Sequence, residues 1–207
     1  MRRAVLSDRE IVVDILSNSF DGNKSVNHVV KQDSSRTSRI RGLMRYSFEV
    51  CLLFGEVWLS PNRKACALLL YPDKKNTTMR SIFLDLQLAL DVIGLSRVRK
   101  VLTRESAIKA NHPNDKHFLY LWFVGVEPSS QKSGIGSALL EDVIARSVQE
   151  KRPIYLETSV SRNLSWYKKF GFEMYKEIDL GYTLYLLRRP PVPLRQIVPA
   201  QIAAQSI

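Results

Sequence analysis

The feature that most constrains this chain is the run HFLYLWFVGV at 117–126, dense in aromatic and branched residues and free of Asp, Glu, Lys and Arg. Such a run suits a central strand buried on both faces. Its nine apolar residues from Phe118 fall well short of the roughly 20 that a bilayer-crossing helix needs. A polar loop containing Pro128 follows, then Gly134-Ile135-Gly136, then a helical pattern to about residue 150 with Ile135, Leu139, Leu140, Val143, Ile144 and Val148 on one side. A buried strand leading through glycines into a helix leaves backbone NH groups free at the helix start, where they can hold an anion.

Around this unit the periodicities predict an α/β domain. Helices are expected over 8–20 (apolar Ile11, Val12, Ile15, Leu16 and Phe20), 36–53, 78–93 and 95–109, with a loop and a turn of helix at 21–35. Residues 56–59 and 64–71 read as a hairpin closed by Ser60-Pro61-Asn62-Arg63. After the glycine loop come a strand at 154–159, a short helix at 163–170 stopped by Gly171, and strands at 172–178 and 182–187. At 207 residues and 45% hydrophobic content, one core is expected, with a domain over 1–188 and a Pro-containing tail over 189–207.

Cys51 and Cys66 form no C-x-x-C pair, so buried thiols are expected rather than a disulfide or a metal site. The opening MRRAVLSDREIV lacks the unbroken apolar stretch of a secretory signal, which makes the expected location cytoplasmic. The formal charge of +11 is concentrated early: residues 1–116 carry a surplus of 8 cations and the remainder a surplus of 3. Arg36, Arg39, Arg41 and Arg45, and again Arg97, Arg99, Lys100 and Arg104, sit in helical patterns and read as solvated faces.

The segment Gln131, Lys132, Ser133, Gly134, Ile135, Gly136, Ser137 is the expected phosphate cradle, with the two serines able to add hydroxyl donors. Competing motifs fail on spacing. No Gly-Lys-Ser/Thr string closes a Walker loop, and no G-x-S-x-G elbow is present. A dinucleotide fingerprint would need a third glycine where Leu139 stands. Downstream, Asn163 and Tyr167 are four residues apart and share one face of the short helix. For a proton acceptor the candidates are Glu157 at a strand end and His117 at the start of the apolar run.

Together, FVGVEPSSQKSGIGSALLEDVI and YLETSVSRNLSWYKKFGFE resemble the two acetyl-CoA-binding motifs of the GNAT acetyltransferases, and the second is similar to the branch containing puromycin N-acetyltransferase. Two stretches depart from the family pattern: Lys132 stands where glycine is frequent and Ser133 where a basic residue or glycine is frequent, and Val160 and Ser161 replace a small or proline-containing turn before Arg162-Asn163. The resemblance implies a mixed, mostly antiparallel sheet of six to seven strands, splayed between the fourth and fifth. It implies acetyl-CoA as donor and no metal. Backbone at Val124, Gly125 and Val126 would bind the thioester arm, residues 131–137 the diphosphate, and Asn163 the cofactor. Tyr167 would protonate the departing thiolate as general acid; for the proton of the amine, Glu157, His117 and a water relay stay open. The implied acceptor is a small-molecule primary amine. Neither a membrane nor nucleic acid is an expected partner, and the oligomeric state stays open, a homodimer included. Two alternatives remain: a non-catalytic binding module of the same fold using its basic amino-terminal half, and a protein N-acetyltransferase.

Overall fold

In the computed structural model, which describes residues 1–193, seven strands form one sheet in the order β1-β2-β3-β4-β5-β7-β6. The strands are β1 (Arg2–Arg3), β2 (Gly55–Leu59), β3 (Ala65–Leu70), β4 (Leu119–Val126), β5 (Ile154–Thr158), β6 (Glu173–Asp179) and β7 (Thr183–Arg189). Helices α1 (Arg9–Phe20), α2 (Lys24–Val29), α3 (Arg36–Phe54), α4 (Met79–Gln87), α5 (Val98–Lys109), α6 (Ile135–Glu150) and α7 (Arg162–Lys169) flank it. Every pairing is antiparallel except β4 with β5. The expected hairpin closes through Ser60, whose Oγ accepts the amides of Lys64 at 3.0 Å and Ala65 at 2.9 Å, while Arg63 takes the left-handed conformation.

The parallel pair is short. Leu119 and Tyr120 register with Ile154 and Tyr155, and past that point neither strand pairs with the other. The sheet therefore opens between its fourth and fifth strands, as the family resemblance implied. β4 itself differs from the expectation of burial on both faces: buried and half-buried residues alternate along it. A bulge explains the pattern. Leu68 registers with Phe123 but Leu69 with Leu121, so Trp122 is an extra residue on β4. It switches the phase: Leu119 and Leu121, then Val124 and Val126, pack with the α6 core, whereas Phe123 joins the α1–α3 core.

Two cores sandwich the sheet. On one side Val12, Ile15 and Leu16 of α1 and Ile40, Met44 and Phe48 of α3 cover β2–β4. On the other, Leu139, Leu140, Val143 and Ile144 of α6 pack on the small residues Ala65 and Ala67 and on Leu69. Cys51 and Cys66 are free and buried, and burial pushes both thiols up. The helix expected over 78–93 changes character: α4 ends at Gln87, and a wider π-type turn spans Leu88–Ile93 before Gly94 breaks it at φ 76°.

β7 runs on to Arg189 rather than stopping at 187. That side chain is wholly buried and donates to the carbonyls of Phe170 (2.7 Å), Pro190 (2.8 Å) and Val192 (2.6 Å). With no carboxylate beside it among the described residues, burial lowers its guanidinium to about 10. Packing therefore continues past the expected domain end at 188, and the remainder of the expected tail, 194–207, lies outside the described residues.

Candidate active site

The loop between β4 and α6 is shaped by two left-handed residues, Lys132 (φ 64°) and Gly134 (φ 83°), the second immediately preceding the helix. Gly136 is needed for approach, since a Cβ there would stand 3.2 Å from Val126 Cγ2. From Lys132 to Ser137 no backbone amide finds an acceptor among the described residues; the first to do so is Ala138, bonded to Gly134 O at 3.0 Å. Successive unpartnered NH groups around a left-handed turn and a helix start make a nest for an oxyanion. Of the two serines, Ser133 Oγ donates to Ser130 O at 2.6 Å, whereas Ser137 Oγ accepts Trp166 Nε1 at 3.3 Å and keeps its own proton to donate. Gln131 braces the loop by donating to Val126 O at 3.3 Å.

Beside this cradle lies the edge of β4 that has lost its β5 neighbour. Of the three residues expected to meet the thioester arm, Val124 and Val126 are half-buried and Gly125 is buried. The missing side chain of Gly125 is explained by α1, because a Cβ would stand 2.7 Å from Leu16 Cδ2. The Val126 carbonyl already accepts Ser19 Oγ at 2.7 Å, which ties α1 to the strand end.

Tyr167 on α7 packs against Phe172 and Trp166, with centroids 5.4 and 4.8 Å away, in the α6-side core. Burial pushes its phenol above the ordinary range, which keeps the proton on. The hydroxyl makes no hydrogen bond among the described residues, yet it is not one of the side-chain oxygens sealed from solvent. Asn163 lies inside the first turn of α7 rather than capping it: Ser161 holds the cap position, and the Asn163 amide reaches Val160 O at 3.0 Å.

On the opposite face of the opening, Glu157 of β5 is the centre of a cluster that sequence reasoning only half found. Its Oε1 lies 2.9 Å from His112 Nε2, and its Oε2 accepts the Tyr120 hydroxyl at 2.5 Å. The carboxylate is only 5% exposed. Burial and then the Glu157 charge push the Tyr120 phenol up, so it stays a donor. The rings of Phe118, Tyr120 and Tyr155 surround His112. His117, the other expected base, is exposed with Nδ1 3.9 Å from Asp73, and makes no contact with Glu157 among the hydrogen bonds of the described residues. The only sequence signal for His112 was its place just before the apolar run. Nearby, Arg104 is held by Glu105, by Tyr182 Oη at 3.2 Å and by Ser25 Oγ at 2.7 Å. Ser25 N and Asn23 Oδ1 both reach Ser159 Oγ at 3.4 Å, so the start of α2 closes over the end of β5.

Two surface hollows lie away from this constellation: one of about 320 Å³ between α7 and β6, and one of about 240 Å³ between α1 and α3. Neither contains the free amides or Glu157. The candidate site is the strand opening, flanked by the free amides at the start of α6 and by Glu157 of β5.

Comparison with known proteins bears on the same region. Residues 97–174 match the acetyltransferase (GNAT) domain family. An uncharacterized N-acetyltransferase of Schizosaccharomyces pombe is 39% identical over 66 residues, which is 32% of this chain and about a quarter (27%) of that relative's length. Among solved structures, a histone acetyltransferase HPA2 and related acetyltransferase from Corynebacterium glutamicum superposes with a TM-score of 0.69 at 23% identity, covering 92% of this chain and 95% of that one. The C-terminal condensation domain of Ebony, in complex with beta-alanyl-dopamine, gives a TM-score of 0.65 at 10% identity over 91% of this chain and 97% of that one. These likenesses establish the fold; they do not fix an acceptor.

Proposed function

We propose that this chain, which carries a GNAT acetyltransferase domain, moves an acetyl group from acetyl-CoA directly to a small primary amine. One observation carries the reading: the row of unpartnered amides from Lys132 to Ser137 adjoins the unpaired edge of β4, with the free phenol of Tyr167 in the neighbouring core. An acyl-CoA supplies an activated thioester and a diphosphate. The amides fit the diphosphate's charge and need no side-chain hydroxyl to do so. Lys132 adds an exposed cation at the rim. Tyr167 holds a proton at its phenol oxygen, suited to a leaving thiolate.

On the acceptor side, the Glu157 carboxylate draws a cationic amine into an aromatic surround, and with His112 it offers an oxygen and a ring nitrogen for the proton the amine must lose. A nucleic-acid module is not favoured. Of the cations that suggested one, the α3 arginines pair with Asp21, Asp33, Asp14 and Glu10 and Arg104 pairs with Glu105, while Arg99 and Lys100 have no carboxylate partner among the described residues.

The test is thiol release from acetyl-CoA across a panel of amines, aminonucleosides and polyamines included. With an accepted amine, Tyr167→Phe is expected to lower kcat by about 10- to 100-fold while acetyl-CoA binding is kept. Unchanged turnover would remove Tyr167 from the proton-donating role, and no release with any amine would sink the catalytic reading.

A further inference from the structure

Three basic residues at and within α5 face the same way. Arg97, Lys100 and Arg104 follow i, i+3, i+7 spacing, and Arg97, the residue leading into the helix, already has helical backbone angles. The two outer members are tied to α2: Arg97 Nη2 donates to His28 O at 2.6 Å, and Arg104 Nη2 donates to Ser25 Oγ at 2.7 Å. The face they share is therefore the one turned toward α2, and Lys100 stands between them on it. His28 completes the group from the α2 side, its ring 5.1 Å from that of Tyr182. Burial, then Lys100, Arg104 and Arg97, hold its imidazole down at about 4, so the ring is neutral at ordinary pH.

Charge on this face is not balanced. Arg104 pairs with Glu105, but neither Arg97 nor Lys100 has an ion-pair partner among the described residues. Acids on the adjoining elements are used elsewhere: Asp33 pairs with Lys31 and Arg39, and Asp179 Oδ1 accepts the Gly181 amide at 2.9 Å. Residues 194–207 contain neither Asp nor Glu, so no side chain there supplies the missing charge. Arg97 Nε is sealed from solvent without an acceptor among the described residues. His28 meets α5 through its carbonyl, and neither of its ring nitrogens has a hydrogen-bond partner among the described residues. Cations gathered round a neutral imidazole repel one another, and an oxyanion among them removes that repulsion. Guanidinium and ammonium groups are the donors that carboxylate and phosphate oxygens take.

The face adjoins the candidate active site. Ser25, whose hydroxyl accepts Arg104, donates its amide to Ser159 Oγ at 3.4 Å, just past the end of β5 and two residues from Glu157. The Tyr120 phenol feels the charges of both Glu157 and Arg104. Opposite charges thus flank one opening, a carboxylate on the β5 side and cations on the α5 side.

We propose that Arg97, Lys100 and His28 form an oxyanion subsite of the acceptor side, which takes the carboxylate or phosphate group of an acceptor whose amine goes to Glu157. The identity of the occupant rests on the acetyltransferase reading; the binding of an anion does not.

Anion binding is read without turnover, from the His28 ring signal in NMR pH titrations of the full chain with and without millimolar inorganic phosphate, the signal being assigned by its loss in His28→Gln. Phosphate is expected to raise the His28 titration midpoint by about one pH unit, because an opposite charge at contact favours the protonated ring. Lys100→Glu, at an exposed position, is expected to abolish that response with the melting temperature kept. A His28 signal indifferent to phosphate overturns the proposal, and so does an equal response in K100E. The occupant is tested by thiol release with pairs of primary amines that differ only in a carboxylate or its amide. The carboxylate member is expected to have about a tenfold lower KM, an advantage that Lys100→Glu removes. Equal KM for the two members beside a normal phosphate response makes this a site for a free ion, and the acceptor assignment falls. If no amine is acetylated, the transferase reading falls and takes the acceptor with it. If amines are acetylated while phosphate leaves His28 unmoved, the transferase reading stands and the subsite alone is lost.

Discussion

At the scale of single residues, what a side chain does here follows from which neighbours the fold gives it. His28 shows this clearly. It is half-buried on α2 against the Tyr182 ring, and burial together with Lys100, Arg104 and Arg97 lowers its imidazole from the ordinary 6.5 to about 4. The unfolded chain takes up this proton near pH 6.5, but the folded chain refuses it until about 4. The stability contributed by neutral His28 is therefore complete above pH 6.5 and is lost as pH falls toward 4. His28→Gln should flatten the melting temperature across that window, removing about 1 kcal/mol of its pH dependence after allowance for solvent screening; an unchanged slope would show that other groups set it. Glu157 makes the same point for the site. Its carboxylate was a candidate from its position at a strand end, but its character as a buried acceptor comes from His112, 45 residues away, and from Tyr120.

At the scale of elements, β4 is the piece on which the site depends. Composition marked it as the central strand, yet composition alone could not reveal the extra residue at Trp122 that shifts its faces, because a bulge is set by pairing with β3. Gly125 sits in the shifted stretch, where α1 crosses. Adding a methyl group by Gly125→Ala would press on the fully buried Leu16, and is expected to cost about 1–3 kcal/mol, seen as a lower melting temperature. A stable G125A protein would mean that α1 can withdraw from the strand without loss. By contrast α6, the 60–63 turn and α3 were legible beforehand, since apolar spacing and turn residues act within a few positions of themselves. The π-type turn over Leu88–Ile93 was not, because its sequence has the apolar content of a continuing helix.

For the whole molecule, the arrangement predicts that ligand binding and folding are coupled. An anion held by amides that exist in that array only when β4, the loop and α6 are in place must stabilise the folded chain. Acetyl-CoA at about a hundredfold above its Kd should add about 2.7 kcal/mol, read as a rise in melting temperature; a flat response would dissolve the assignment of the cradle. The sequence by itself determined the order of the main helices and strands, β1 and the π-type turn apart, the helix start at α6 and the placing of Asn163 and Tyr167 on one short helix. These depend on backbone geometry and on periodicities that operate over one or two turns. Only the tertiary structure decided that Ser133 spends its hydroxyl on Ser130, that the α3 arginines are neutralised in pairs, that His112 rather than His117 meets Glu157, and that α4 keeps a second apolar face outward. Those outcomes require sheet register and helix packing to bring distant residues within bonding distance, and no local pattern carries that information.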